Sequence, residues 1–254
     1  MPNRISPWFL LLVAVTLVGG ALAVLGTPTG PGSGSSVLLT AGVVLLVLGG
    51  WSVSLCLHEF GHAYVAHRSG DWTVREKGYL TLDIRRYTDP VLSFVLPVLF
   101  LLLGGIPLPG GAVWINHGLI RSRGRRSLVS MAGPLANLVI GVLLCLAVAL
   151  VAMPAGLVVA LACLAFVQVL AFVLNILPVP GLDGFGVLEP FLPPGAARVA
   201  AQVRPWAPLA LFALFIAVPG VAGAFFAVSG TVFTALGGDY YLARVGLAEL
   251  QFWR

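Results

Sequence analysis

Between Val37 and Leu57 the chain runs for 21 residues without a charged side chain, then passes directly into His58-Glu59-Phe60-Gly61-His62. About 20 apolar residues cross a bilayer as a helix, and there each ionisable side chain is unfavourable by roughly 2.5–3.5 kcal/mol even on the lenient insertion scale. Three such side chains in five residues therefore need a compensating partner. A helix places residues four apart on one face, so the imidazoles of His58 and His62 can share one zinc ion. Glu59 then sits beside the metal, in position to take a proton from a bound water. HExxH alone is a weak pattern; its setting in an apolar run is what sharpens it.

The wider composition agrees with that setting. Of 254 residues, 59% are hydrophobic and 9% charged, against about 25% charged in an ordinary soluble domain. The expected class is an all-α multi-pass membrane protein. The net charge of +5 does not point to nucleic acid, because the basic residues concentrate in loops, as membrane topology alone demands. Cys56, Cys145 and Cys163 lie in apolar stretches without CxxC spacing, so neither a disulfide framework nor a thiolate zinc site is indicated.

Apolar stretches cover residues 7–26, 37–57, 91–106, 128–152, 156–177 and 206–236. The first has the look of a signal sequence but is near the length of a span, and it is read as an uncleaved first crossing. Arginine and lysine cluster at Arg68–Arg86, Arg121–Arg126 and Arg198–Arg204, whereas the 27–36 loop has none. That bias places the N-terminus and the arginine-bearing loops inside. The stretch 91–106 must then begin and end on the inner side. It is short and is followed by Ile106-Pro107-Leu108-Pro109-Gly110-Gly111, which cannot continue a helix, so a re-entrant segment followed by an extended or hairpin stretch through Ala112-Val113-Trp114-Ile115, in effect a short β-hairpin, is expected. Non-helical backbone at that depth requires a protein-lined or wet cavity. The run 206–236 holds Pro219-Gly220 and is expected as one kinked span, with the tail after Gly238 as an interfacial amphipathic segment. About five transmembrane helices result. The parts are 1–36 (first helix and outer loop), 37–190 (core) and 191–254 (last helix and tail).

A catalytic zinc usually takes a third protein ligand. Asp183 follows Asn175-Ile176-Leu177-Pro178-Val179-Pro180-Gly181-Leu182 on the same membrane side as the end of the HEFGH helix, yet an Asp before Gly is also an ordinary turn residue. His67 falls off the zinc face, Glu189 lies further from the span, and His117 reads as a residue of a solvated loop. Within Gly133-Pro134-Leu135-Ala136-Asn137, Asn137 either packs a kinked helix or faces the cavity to steady an oxyanion.

The HEFGH, the GPLAN of the next crossing and the Asn175-x-x-Pro178-x-Pro180-x-Leu182-Asp183-Gly184 pattern, matched at every fixed position, together resemble the site-2 protease family of intramembrane zinc metalloproteases. The resemblance covers about residues 37–190, and Arg75–Asp83 is similar to the short bacterial branch. Asp83-Ile84 and Asn116-His117 stand where that branch often has Asn-Pro. The resemblance implies one zinc ion per chain held by His58, His62 and Asp183, with Glu59 as general base. It further implies that Asn137 and Asn175 lie near the site and that a strand around Gly110-Gly111 holds the substrate. No stretch is suited to a PDZ or CBS domain.

The resulting expectation is a bacterial plasma-membrane protease, active toward the cytoplasmic side, that cuts transmembrane protein substrates within the lipid bilayer. A membrane metal-binding or transport protein, or a non-cleaving scaffold of protease shape, are the alternatives. The substrate and the oligomeric state are not legible in the chain.

Overall fold

The computed structural model describes residues 5–27, 36–87 and 113–253. Within them the helices are α1 (Pro7–Leu25), α2 (Val37–Ser69), a short α3 (Thr73–Glu76), α4 (Arg123–Leu150), α5 (Ala155–Asn175), α6 (Asp183–Leu188), α7 (Pro194–Val203), α8 (Ala207–Ala217), α9 (Val221–Ala235) and α10 (Tyr240–Leu250). Four of them, α1, α2, α4 and α5, are long and apolar enough to cross a membrane. The pair α7 and α8, bent by 62°, makes a fifth if it counts as one span. The expected all-helical class is therefore present, with four to five spans.

The helix carrying HEFGH does not stop at Leu57. Ser36 caps α2 by accepting from the Leu39 N–H, and the helix runs 33 residues to Ser69. There Gly70 takes a φ of 118°, a left-handed conformation that glycine adopts without a Cβ penalty. At 1.5 Å per residue α2 is about 50 Å long, and His58 lies roughly 30 Å along it. The two histidines thus sit one full bilayer core from the start of the helix.

Neighbouring helices pack antiparallel. A Cβ on Gly19 would lie 2.3 Å from the Leu46 nitrogen, so α1 and α2 meet backbone to backbone. On its other side α2 meets α4, with Gly61 against the Ala132 carbonyl, and α5 packs antiparallel on α4 and is buried along most of its length. The site lies where α2, α4 and α5 come together.

Three expectations change. The run 206–236 is two helices folded against each other, not one kinked span. Gly220 takes a φ of 87°, and the rings of Phe215 and Phe225 have centroids 5.2 Å apart, whereas ten residues of continuous helix would separate them by about 15 Å. The C-terminal tail docks on the bundle as α10. Ala243, Gly246 and Leu250 are buried, a Cβ at Gly246 would lie 2.5 Å from that of Cys163, and Thr40 of α2 donates to the Glu249 carboxylate at 2.6 Å. The glycine is what lets α10 seat this closely.

The third concerns the β-hairpin. No strand occurs among the described residues, and Val113–Asn116 has no regular secondary structure. Val113 and Ile115 pack on a buried cluster that includes Tyr79, Tyr87 and Val129, while Trp114 is 77% exposed, so the side chains alternate as in a strand. Three of the backbone groups, however, are taken by side chains. The Trp114 carbonyl accepts from Lys77 Nζ at 2.9 Å, the Asn116 N–H donates to Asp71 Oδ2 at 2.6 Å, and the Val113 N–H is bonded to the Glu59 carboxylate. The segment 91–106 and both Gly110 and Gly111 lie outside the described residues.

Candidate metal centre

His58 and His62 stand one turn apart on α2, and each is 6% exposed. Asp183 is brought to them by the turn after α5. Pro178 and Pro180 cannot continue that helix, the Leu182 N–H closes a turn onto the Val179 carbonyl at 2.9 Å, and Gly181 takes a φ of 99°. A Cβ on Gly184 would lie 2.1 Å from the Ile176 carbonyl oxygen, so glycine there allows α6 to start directly against the end of α5. Asp183, first residue of α6, both follows this turn and reaches the two histidines.

The carboxylate meets both imidazoles. Asp183 Oδ2 lies 3.1 Å from His58 Nε2, Oδ1 lies 3.4 Å from His62 Nε2, and the two Nε2 atoms are 3.1 Å apart. Among the described residues these three form the group that could hold a metal ion. The donor set fits zinc: nitrogen and oxygen ligands at about 2.0–2.1 Å in a tetrahedron have edges of about 3.3–3.4 Å. The room for it comes from Gly133 of α4. A Cβ there would lie 2.3 Å from His62 Nε2 and 2.5 Å from His58 Nε2, so a side chain would occupy the space the two lone pairs face.

The far side of each ring is held as well. His62 Nδ1 lies 2.6 Å from the Val129 carbonyl oxygen. A carbonyl can only accept, so Nδ1 carries the hydrogen and Nε2 keeps its lone pair. Pro134, inside α4, lacks the N–H that would bond the neighbouring Ser130 carbonyl. His58 Nδ1 lies 2.5 Å from Asn137 Oδ1, and Asn137 Nδ2 donates to Gln168 Oε1 at 2.9 Å. The bond to Gln168 engages one of the two Nδ2 hydrogens, and the oxyanion role expected of Asn137 would fall to the other.

Glu59 is 3% exposed and lines the same cavity as His58, His62 and Asp183. The cavity, about 290 Å³, is also bounded by Asn137 and Asn175, by Val113 and Ile115, and at its rim by His117 and Glu189. The wet or protein-lined space anticipated from the sequence is thus present. Arg204 at the end of α7 pairs with Glu189 at this rim. His117 is exposed, as expected of a loop residue, but the loop folds over the site. The part of its ring turned toward the site is desolvated, which lowers its pKa and favours the neutral imidazole. His67 is not part of the metal group, and Cys56, 0% exposed, packs in the cluster around Tyr87.

Four contributions escaped the sequence reading: Gly133 as the gap facing both imidazoles, the Val129 carbonyl, Gln168 behind Asn137, and the Asp71 and Lys77 ties on the 113–116 segment. Gln168 carried a usable signal, being an uncharged polar side chain in an apolar run. The others depend on packing between distant segments.

No protein-family model matches the chain, and no solved structure matches it. Among curated proteins it is 48% identical over 252 residues to a Mycobacterium tuberculosis protein named "Putative zinc metalloprotease Rip2", covering 98% of this chain and 95% of the relative. It is 46% identical over the same length, with the same coverage, to the protein of that name from Mycolicibacterium smegmatis. It is 31% identical over 178 residues, 65% of this chain and 77% of the relative, to "Putative zinc metalloprotease YwhC" of Bacillus subtilis.

Proposed function

The chain belongs to the short, site-2-protease-like family of zinc metalloproteases that includes Rip2 and YwhC, and we propose that it hydrolyses peptide bonds in or near transmembrane segments of other membrane proteins. The observation that carries this reading is the convergence of His58, His62, Asp183 and Glu59 on one buried cavity at the junction of α2, α4 and α5.

In this reading His58 Nε2, His62 Nε2 and the Asp183 carboxylate hold one zinc ion per chain. When bound, zinc supplies Lewis-acid polarisation of the scissile carbonyl and acidification of the attacking water. Glu59, next in sequence to His58, accepts that water's proton on its carboxylate and passes it to the leaving amine nitrogen. The Val113 N–H holds the carboxylate in place meanwhile. Val129 and Asn137 fix both imidazoles as Nδ1–H tautomers from behind. Asn175, 4% exposed on the cavity wall, faces the substrate. The α2, α4 and α5 walls limit water to the cavity, and the rim formed by His117, Glu189 and Arg204 is the polar entrance.

The arginine-bearing loops support an entrance on the cytoplasmic side of a bacterial plasma membrane, which thiol labelling from either side of the bilayer tests directly. Metal analysis of purified variants tests the site. Wild type should carry one zinc per chain, and His58→Ala, His62→Ala and Asp183→Ala should each lose most of it, since a two-ligand site binds zinc far more weakly. Full zinc occupancy in Asp183→Ala would remove Asp183 from the shell.

A further inference from the structure

Gln168 lies midway along α5 and is 0% exposed. It packs against Gly141 of α4, where a Cβ would stand 3.4 Å from its own. Its Oε1 accepts from Asn137 Nδ2, while its Nε2 has no hydrogen-bond partner among the described residues. A residue needed only to fill the α4–α5 seam would be apolar, because a buried amide with an unpaired donor costs free energy that a hydrocarbon side chain does not. The amide is retained with only its acceptor end engaged, and that end is what Asn137 uses.

The direction of the hydrogen bonds follows from chemistry. For His58 Nε2 to offer a lone pair toward His62 and Asp183, Nδ1 must carry the hydrogen and donate it. Asn137 must then present Oδ1 to Nδ1, as it does at 2.5 Å, which turns its Nδ2 toward α5. There it needs an acceptor, and Gln168 Oε1 is that acceptor. An Asn137 amide turned by 180° would offer N–H groups to His58 Nδ1 and favour the Nε2–H tautomer, which has no lone pair for a metal.

We propose that Gln168 is a positioning residue of the metal centre, holding the Asn137 amide in the one orientation that keeps His58 Nε2 available as a ligand. The inference rests on the reading of His58 as a ligand. Asn137 and Gln168 come from different helices, so the chain of contacts also couples the α4–α5 packing to the ligand on α2.

The test uses the full-length protein in detergent. Gln168→Met keeps the length and removes the acceptor, and Gln168→Glu restores an acceptor oxygen. Zinc affinity is measured by chelator competition, and the His58 tautomer by nitrogen-15 spectra of histidine-labelled, metal-free protein. Gln168→Met should bind zinc about 10–100-fold more weakly, the usual effect of losing a group behind a ligand, and should gain Nε2–H tautomer at His58. Gln168→Glu should stay within about threefold of wild type. In an Asn137→Ala background Gln168→Met should cause no further loss, because the residue acts through Asn137. Wild-type affinity in Gln168→Met, an equal loss in the Asn137→Ala background, or a dominant Nε2–H tautomer in the metal-free wild type would each overturn the proposal. Should Gln168→Met fail to fold, a tenfold loss in Gln168→Glu overturns it instead. If the wild type binds no zinc, the metal-site reading fails by itself, and the tautomer spectra still decide whether Gln168 orients His58.

Discussion

Glu59→Gln is expected to keep zinc at one ion per chain and to slow peptide hydrolysis about 10²–10⁴-fold, the range that a positioned general base supplies. The substitution preserves shape and leaves His58, His62 and Asp183 intact, but an amide cannot accept and deliver the proton. The Val113 N–H that meets the carboxylate can still donate to the Gln oxygen, so the cavity wall should not move. Metal analysis and single-turnover cleavage on the same preparation check both halves. Full hydrolysis by Glu59→Gln would transfer the proton to another group. Metal flux across vesicles, with that flux unchanged in Glu59→Gln, would favour a transport protein.

Gly133→Ala is the second large effect. One added methyl would stand 2.3 Å and 2.5 Å from the two Nε2 atoms, well inside any van der Waals separation. The imidazoles are held from behind by Val129 and Asn137, so they cannot retreat without breaking those bonds. The expected result is a folded protein with zinc content lowered at least tenfold, as for other losses around a metal ligand, and no measurable cleavage. Leu135→Ala, two residues away at a 43% exposed position on the same helix, is the control that should change neither. Zinc retained at the wild-type level in Gly133→Ala would mean that the ion does not occupy the space between the imidazoles.

What the sequence disclosed follows the range of the interactions. His58, Glu59 and His62 are legible because a helix turns spacing into proximity, and the proline-rich approach to Asp183 is legible because proline and glycine dictate local backbone whatever surrounds them. The long apolar runs likewise announce the spans. The pairing of Asn137 with His58 bridges 79 residues, and that with Gln168 bridges 31. No local pattern encodes such contacts, so the choice between packing and oxyanion roles for Asn137 could not be made from spacing. At 206–236 hydropathy alone suggested one span, but whether a Pro-Gly pair kinks a helix or reverses it is decided by what the two halves pack on. At Val113–Ile115 β-favouring residues suggested a hairpin, but no strand forms among the described residues, because side chains of Lys77, Asp71 and Glu59 meet backbone groups there.

The most direct measurement of the central claim is the location of the cut bond. Purified wild-type protein would be reconstituted in liposomes with a single-span membrane protein, and the products mapped by mass spectrometry beside Glu59→Gln and a chelator-treated sample. The account predicts new termini within or next to the membrane-spanning segment, formed by the wild type, restored by added zinc after chelation, and absent with Glu59→Gln. Cleavage confined to soluble loops, or an intact substrate in the presence of zinc-loaded wild type across several single-span proteins, would contradict it.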